Sequence, residues 1–403
     1  MLLDRGFKNV MENERLWTRN FIMISLINFL IILIFYLLIV VIASYAVDEF
    51  GASTSTAGLV ASIFIVGSLL GRLATGRIIT TIGSKKTFQI GLIAFLITTF
   101  AYFFAVNLSL LILNRLLHGI AVGIIGTTTG TLIAQIIPST RRGEGVGYFS
   151  MSTVLATAIG PFIGLLLTQH TGSFTSVFTF NAVLVVICLF MYFTVNLKNI
   201  SAPAKPKVEK EISNGFKLSN YIEPKSIPIS FIVLLIGFTY SGVMSFLSFY
   251  SESINLVKAG SFFFLVYAIT ILCTRPITGP LMDRRGANIV VYPCLVIFAI
   301  GMLLFSQTSN SFIFLLAAGL IGIGYGNFNS IAQAMAVKVT EPHRFGLATS
   351  TYFIFLDLGL GVGPYLLGLV EPHTTYRILF LSMVPIILIA LICYYFLVGR
   401  KEN

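Results

Sequence analysis

Residues 20–47, NFIMISLINFLIILIFYLLIVVIASYAV, contain no charged side chain. About 20 apolar residues, each rising ~1.5 Å in a helix, cross the ~30 Å hydrocarbon core of a bilayer. The run is long enough to span and much longer than the apolar centre of a secretory signal, so it is expected to be a retained transmembrane helix. The same reading continues down the chain. Residues 50–71 hold most of a second span. Residues 87–139, interrupted only by Arg115, hold two, turning near Asn107-Leu108-Ser109. Residues 145–197 hold two more, turning at 169–173. Residues 226–251 and 259–282 are the seventh and eighth, the latter with Arg275 near its end. Residues 286–337 hold two, turning at 306–310. Residues 345–370 carry Asp357, and residues 378–399 lie in the last. The fold class this implies is an all-α membrane protein of twelve transmembrane helices.

Composition agrees. Hydrophobic residues make up 56% of the chain and charged residues only 10%, against roughly 25% in a soluble domain. That deficit leaves too few charges to cover a water-exposed surface, and 36 Phe supply bulky apolar cover. The net charge of +11 does not point to nucleic acid, because the basic residues lie at the ends of apolar runs and not in aromatic-interleaved patches. Cys188, Cys273, Cys294 and Cys393 lie singly in apolar runs and form no metal or redox motif. No G-x-x-x-x-G-K-S/T loop is present to bind ATP.

Residues 198–227, rich in Lys, Pro, Ser and Asn, read as a cytoplasmic linker between six-helix halves at 1–197 and 228–403. With both termini inside, only Lys258 and Arg377 of the basic residues fall outside, and Arg115 lies within a span. This bias sets the expected orientation. The halves also match each other at one constant offset. Arg72 pairs with Arg275, Thr75 with Thr278, Gly76 with Gly279, Gly83 with Gly286, Gly119 with Gly322, Gly123 with Gly326 and Gly143 with Gly346. Gly160-Pro161 pairs with Gly363-Pro364. Six helices per copy give both copies one orientation, so an axis along the membrane normal relates them, as in parallel-repeat transporters.

These features are similar to those of the major facilitator superfamily across essentially the whole chain. Its loop signature after the second helix, roughly G-x-L-x-D-R-x-G-R-K, resembles Gly279-Pro280-Leu281-Met282-Asp283-Arg284-Arg285-Gly286-Ala287-Asn288. The first copy, from Gly76 through Gly83 to Lys86, holds Thr80 and Thr81 in place of the Asp and Arg. The resemblance implies that Asp283, beside Arg284, faces a helix N-terminus from the other half and helps hold the cytoplasmic side shut, while the first-half lock lacks its charge. Asn114-Arg115-Leu116-Leu117-His118-Gly119 resembles the R-x-x-x-G signature of helix four. Gly160-Pro161-Phe162-Ile163-Gly164 resembles the G-P-x-x-G signature of the drug–proton antiporter branch, with Gly363-Pro364 its counterpart hinge in helix eleven. Arg141-Arg142-Gly143-Glu144-Gly145 is similar to bacterial members of that branch. Opine-metallophore exporters share the general pattern.

By the same resemblance, helices one, four, seven and ten line a central cavity. Their polar candidates for the substrate are Asn28, Tyr36, His118, Tyr240, Tyr250, Tyr325, Asn327, Asn329 and Gln333. The plainer alternative for each is a helix–helix hydrogen bond, and for His118 it is packing. The proton-coupling candidates are Asp357, Arg115 and Glu144. Asp357 lies near the bilayer midplane, where an ionised carboxylate must face the bundle interior. Arg115, ~10 Å below the outer end of its helix, either snorkels outward or tunes that carboxylate. Glu144 stands where a helix N-terminus favours a carboxylate.

The expected function is secondary transport: proton-driven export of small amphipathic compounds from the cytoplasmic membrane of a bacterial cell. Its partners are lipid, a small-molecule substrate and protons, with no cofactor, metal or nucleic acid, in a monomer. Uptake of a small metabolite stays open as an alternative. A membrane-embedded enzyme would need converging nucleophiles, acids or metal ligands at membrane depth, and four His and one deep Asp provide none.

Overall fold

The computed structural model describes residues 15–171, 173–196 and 220–401, and all regular structure among them is helical. The first half comprises α1 (Arg19–Phe50), α2 (Thr54–Ile82), α3 (Ser84–Phe100), α4 (Leu108–Ile136), α5 (Arg142–Thr171) and α6 (Phe174–Thr194). The second comprises α7 (Ile227–Ser253), α8 (Val257–Arg285), α9 (Asn288–Ser306), α10 (Ser311–Lys338), α11 (Phe345–Val370) and α12 (Tyr376–Leu397). Each contains a stretch long and apolar enough to cross a membrane. Of the expected linker, residues 198–219 lie outside the described residues. The rest leads through a 3-10 turn, Pro224–Ser226, into α7.

Side-chain caps set the boundaries, because the first N–H groups of a helix have no partner within it. Ser53, Asn107, Asn310 and Thr375 accept from the N–H groups of Thr56, Leu110, Ile313 and Ile378. Three caps, Asn107, Ser173 and Asn310, fall in the turns expected from the sequence. Gly83 and Gly286, at φ +83° and +85°, join α2 to α3 and α8 to α9. A Cβ there would be strained by ~1–2 kcal/mol, so both loop signatures need glycine at these points. The other paired glycines face close neighbours. A Cβ on Gly119 or Gly123 would enter the backbone of α2, and one on Gly322 would lie 2.7 Å from the Tyr267 carbonyl oxygen of α8.

The chain divides into two compact units that differ from the sequence halves in two segments. One unit is Met1–Pro138, Ser152–Glu223 and Glu341–Ser350. The other is Ser139–Met151, Pro224–Thr340 and Thr351–Asn403. The first turns of α5 therefore pack with the second-half helices, and the first turns of α11 with the first-half helices.

α10 is not uniform. Residues Gly322–Gly326 form a π-turn between α-helical stretches Ser311–Ile321 and Asn327–Lys338. Such turns shift the hydrogen-bond ladder by one residue and re-aim the side chains that follow. α5 and α11 run unbroken through Pro161 and Pro364. Gly160 before the first proline lets α5 approach α1: a Cβ there would lie 2.7 Å from the Tyr36 Cβ. Gly363 gives α11 the same closeness to Ser241 of α7.

Candidate functional site

At the start of α5, the N–H groups of Gly143 and Glu144 lack intrahelical partners. Both donate to the Asp283 carboxylate at the end of α8, at 2.7 and 2.9 Å. The positive end of the helix dipole favours the negative charge. The approach is tight: a Cβ on Gly279 would lie 2.7 Å from Glu144 Cα, and one on Gly143 would lie 2.8 Å from Met282 Sδ. The Glu144 side chain turns instead to Arg141, with both oxygens at 2.7 Å from the guanidinium. Arg284 follows at the last turn of α8.

The matching contact in the other unit uses no carboxylate. The hydroxyls of Thr80 and Thr81 bond back to Arg77 and Ile78 carbonyls of their own helix. Ser350 of α11 donates to the Arg72 carbonyl at 2.6 Å. A Cβ on Gly76 would meet the Ser350 side chain at 3.1 Å, and one on Gly346 would meet Ile79 at 2.8 Å. Arg344, just before α11, pairs with the buried Glu223 carboxylate.

Arg115 is fully buried and does not snorkel. Nε donates to the Val60 carbonyl at 3.1 Å, Nη2 to that of Ala61 at 3.4 Å and Nη1 to the Tyr102 hydroxyl at 3.3 Å. The guanidinium also lies 4.7 Å from the Phe64 ring centroid. His118 Nδ1 shares the Tyr102 hydroxyl at 2.9 Å, between the Phe64 and Phe95 rings. Among the described residues Arg115 makes no ion pair; its donors go to carbonyls and a hydroxyl. Asp357 itself is half-buried, midway along the 26 residues of α11.

Asn28 is buried and joins three helices. Its amide donates to Ser152 and Thr153 of α5 at 2.9 and 3.2 Å, and its oxygen accepts from Thr129 of α4 at 3.2 Å. Tyr36 is half-buried. Tyr250 is directed elsewhere than to a cavity: its hydroxyl bonds the Phe305 carbonyl at the end of α9, at 2.9 Å. The remaining candidates converge on α10. Tyr325, in the π-turn, stacks on Tyr240 at 3.9 Å, and Tyr240 stacks on Tyr267 of α8 at 5.6 Å. Asn327 donates to Thr274 at 2.8 Å and accepts from Thr278 at 2.9 Å. Asn329 accepts from Tyr352 through its carbonyl oxygen, at 2.8 Å, and through its side chain. Gln333 is buried one turn on.

Arg275 is expected from the sequence near the end of its span. It lies instead about ten residues inside α8, ~15 Å from the helix end, and is 3% exposed. Counting back from the surface residues Arg284 and Arg285 would have located it.

The profile of the Major Facilitator Superfamily matches residues 24–288 and 229–403, nearly the whole chain in two overlapping segments. The chain belongs to the Major Facilitator Superfamily. It is a multi-pass membrane transporter with twelve helices in two six-helix pseudo-repeats. An MFS-type transporter of Methanocaldococcus jannaschii is 26% identical over 81% of this chain and 85% of its own. The MFS-type transporter YhhS of Escherichia coli K12 is 24% identical over 92% of this chain and 90% of its own. The staphylopine export protein of Staphylococcus aureus Mu50 is 22% identical over 85% and 87%. Among solved structures of the fold, the human organic anion transporter MFSD10 superposes with a TM-score of 0.73, at 16% identity, over 93% of this chain and 98% of that one.

Proposed function

We propose that this transporter is a proton-coupled exporter of small amphipathic organic compounds that works by alternating access in the cytoplasmic membrane, with both termini in the cytoplasm. The observation that carries the reading is Asp357. It is the only acidic residue midway along a membrane helix among the described residues, and it is only half-buried. A carboxylate there costs on the order of 3 kcal/mol on insertion scales. Desolvation favours the protonated form of any carboxylic acid and hydration the ionised form. A residue so placed takes up a proton on one side and releases it on the other as its surroundings alternate between wet and dry. The Asp283 cap on α5 belongs to one end of that cycle, since it holds two helices from different halves together. Arg115 and His118, bonded to Tyr102 and to α2, fix α4 in place and leave the proton to Asp357.

Support for export comes from the Gly-Pro pair of α5 and from the named activity of the Staphylococcus aureus relative. That relative also gives one substrate alternative, an opine-type metallophore. The test uses purified protein in proteoliposomes, comparing wild type with Asp357→Asn in proton-driven transport and in gradient-independent substrate exchange. The expected result is loss of driven transport with exchange retained. Survival of both activities removes Asp357 from the proton path. Everted vesicles fix the direction: an exporter accumulates substrate in them.

A further inference from the structure

Arg275 is charged at every physiological pH, and its guanidinium is buried. Nη2 donates to the Gly326 carbonyl in the π-turn of α10 at 2.7 Å. Nε and Nη1 are buried with no acceptor, and Arg275 has no ion-pair partner among the described residues. A buried cation with unmet N–H groups is costly unless a partner arrives. A carboxylate oxygen accepts a charge-assisted bond from either of these N–H groups.

The surroundings suit the rest of such a ligand. Tyr267 and Tyr352 lie within electrostatic reach of the guanidinium. Tyr267 begins the stack that continues through Tyr240 to Tyr325, with the last two planes inclined by only 13°. Flat rings beside a cation accept an apolar, planar body. Access is governed by α5. Arg275, Gly279 and Asp283 recur every four residues on one face of α8, and Gly143 and Gly147 do the same on α5. Asp283 caps the first of these turns. One turn further in, a Cβ on Gly147 would lie 3.7 Å from Arg275 Cδ. The segment that Asp283 holds therefore also covers Arg275.

We propose that Arg275 recognises the carboxylate of an amphipathic organic acid, against the Tyr240, Tyr267 and Tyr325 rings, and is uncovered when the first turns of α5 leave α8. The proposal rests on the exporter reading and narrows its substrates to organic anions.

The test is calorimetric binding to the full chain in phosphatidylcholine nanodiscs, with 1-naphthoate and its neutral isostere 1-naphthamide as probes. Wild type is expected to prefer the acid at least tenfold. Arg275→Gln should reduce the preference below twofold, and Arg275→Lys should keep part of it. The wild-type comparison and the lysine variant decide the matter if the glutamine variant does not fold. Phenylglyoxal labelling of Arg275, followed by peptide mass mapping, reads access independently. It should be slow in wild type, several-fold faster in Asp283→Asn, and slowed again by 1-naphthoate. No acid preference in wild type, a preference that survives Arg275→Gln, or labelling unchanged by Asp283→Asn overturns the proposal. So does displacement of the acid by phosphatidylglycerol, which assigns the site to a lipid headgroup. Binding is measured without a gradient, so its failure leaves proton-driven export standing. An intact acid preference without driven export sinks the exporter reading alone.

Discussion

Arg115 and Arg275 are both buried cations, and they differ in what their N–H groups meet. Arg115 spends its donors on two α2 carbonyls and the Tyr102 hydroxyl, which also holds His118. This is a closed network, and its members should be energetically coupled. Tyr102→Phe removes one shared hydroxyl at a cost of about 1–2 kcal/mol. Arg115→Met should then lower the thermal transition less in the Tyr102→Phe background than in wild type. Equal shifts in both backgrounds would show that the network does not act as a unit. Asp283 makes a different kind of contact, because its partners are backbone N–H groups of a helix that leaves α8 in the proposed cycle. Asp283→Asn loses the charge–dipole part, about 1 kcal/mol, or about fivefold in the equilibrium between docked and undocked α5. Turnover in proteoliposomes should fall several-fold, while substrate affinity does not weaken. Unchanged turnover in a well-folded variant would make Asp283 an ordinary surface charge.

At the scale of elements, most of the helix pattern could be read from the chain, because membrane helices need apolar runs of a set length and polar caps between them. The turns at Asn107, Ser173 and Asn310 are caps in the structure, and Gly119, Gly123, Gly279 and Gly322 of the repeat are points of close backbone contact. The π-turn of α10 carries no such signal: its Gly322-Ile323-Gly324-Tyr325-Gly326 is as compatible with a regular helix. The depth of Arg275 is not legible in its run, because an apolar run records where charges are scarce, not where a helix stops. The set of polar candidates was visible as residue types, but hydrogen bonding sorted them, turning Tyr250 towards a helix end and Asn28 towards three helices. The π-turn makes its own prediction. A Cβ on Gly324 would lie 2.6 Å from the Phe298 backbone nitrogen and 2.7 Å from the Cys294 carbonyl oxygen, neither of which can yield. Gly324→Ala should therefore destabilise the fold by about 1–3 kcal/mol. Gly319→Ala, facing the Thr270 methyl at 3.3 Å and Val266 Cγ1 at 3.8 Å, should be tolerated. Thermal unfolding in detergent compares the two, and equal transitions would show that α10 can shift away from α9 at little cost.

The whole molecule carries two versions of one contact, and they are chemically unequal. Asp283 over the start of α5 is matched by Thr80 near the start of α11, and Gly147 beside Arg275 by Ser350 bonded to the Arg72 carbonyl. One contact is a carboxylate on a helix N-terminus. The other is a hydroxyl on a carbonyl, supported by the Arg344–Glu223 pair. In the proposed alternating-access cycle both contacts form and break, so their summed strength sets how far one state is favoured. With a carboxylate on a helix N-terminus in only one of them, the balance stays shallow. Thr80→Asp restores the missing carboxylate opposite the N–H groups at the start of α11, where a helix N-terminus stabilises it by about 0.3–1 kcal/mol. The state in which both contacts are made should gain about twofold to fivefold in population, and the thermal transition should rise. Turnover should fall by a similar factor wherever release of that state limits the cycle. Labelling of Arg275 by phenylglyoxal should slow in parallel, because a more persistent α5–α8 contact covers it longer. A variant that is stabilised yet turns over at the wild-type rate would place the slow step of transport elsewhere than in opening these contacts.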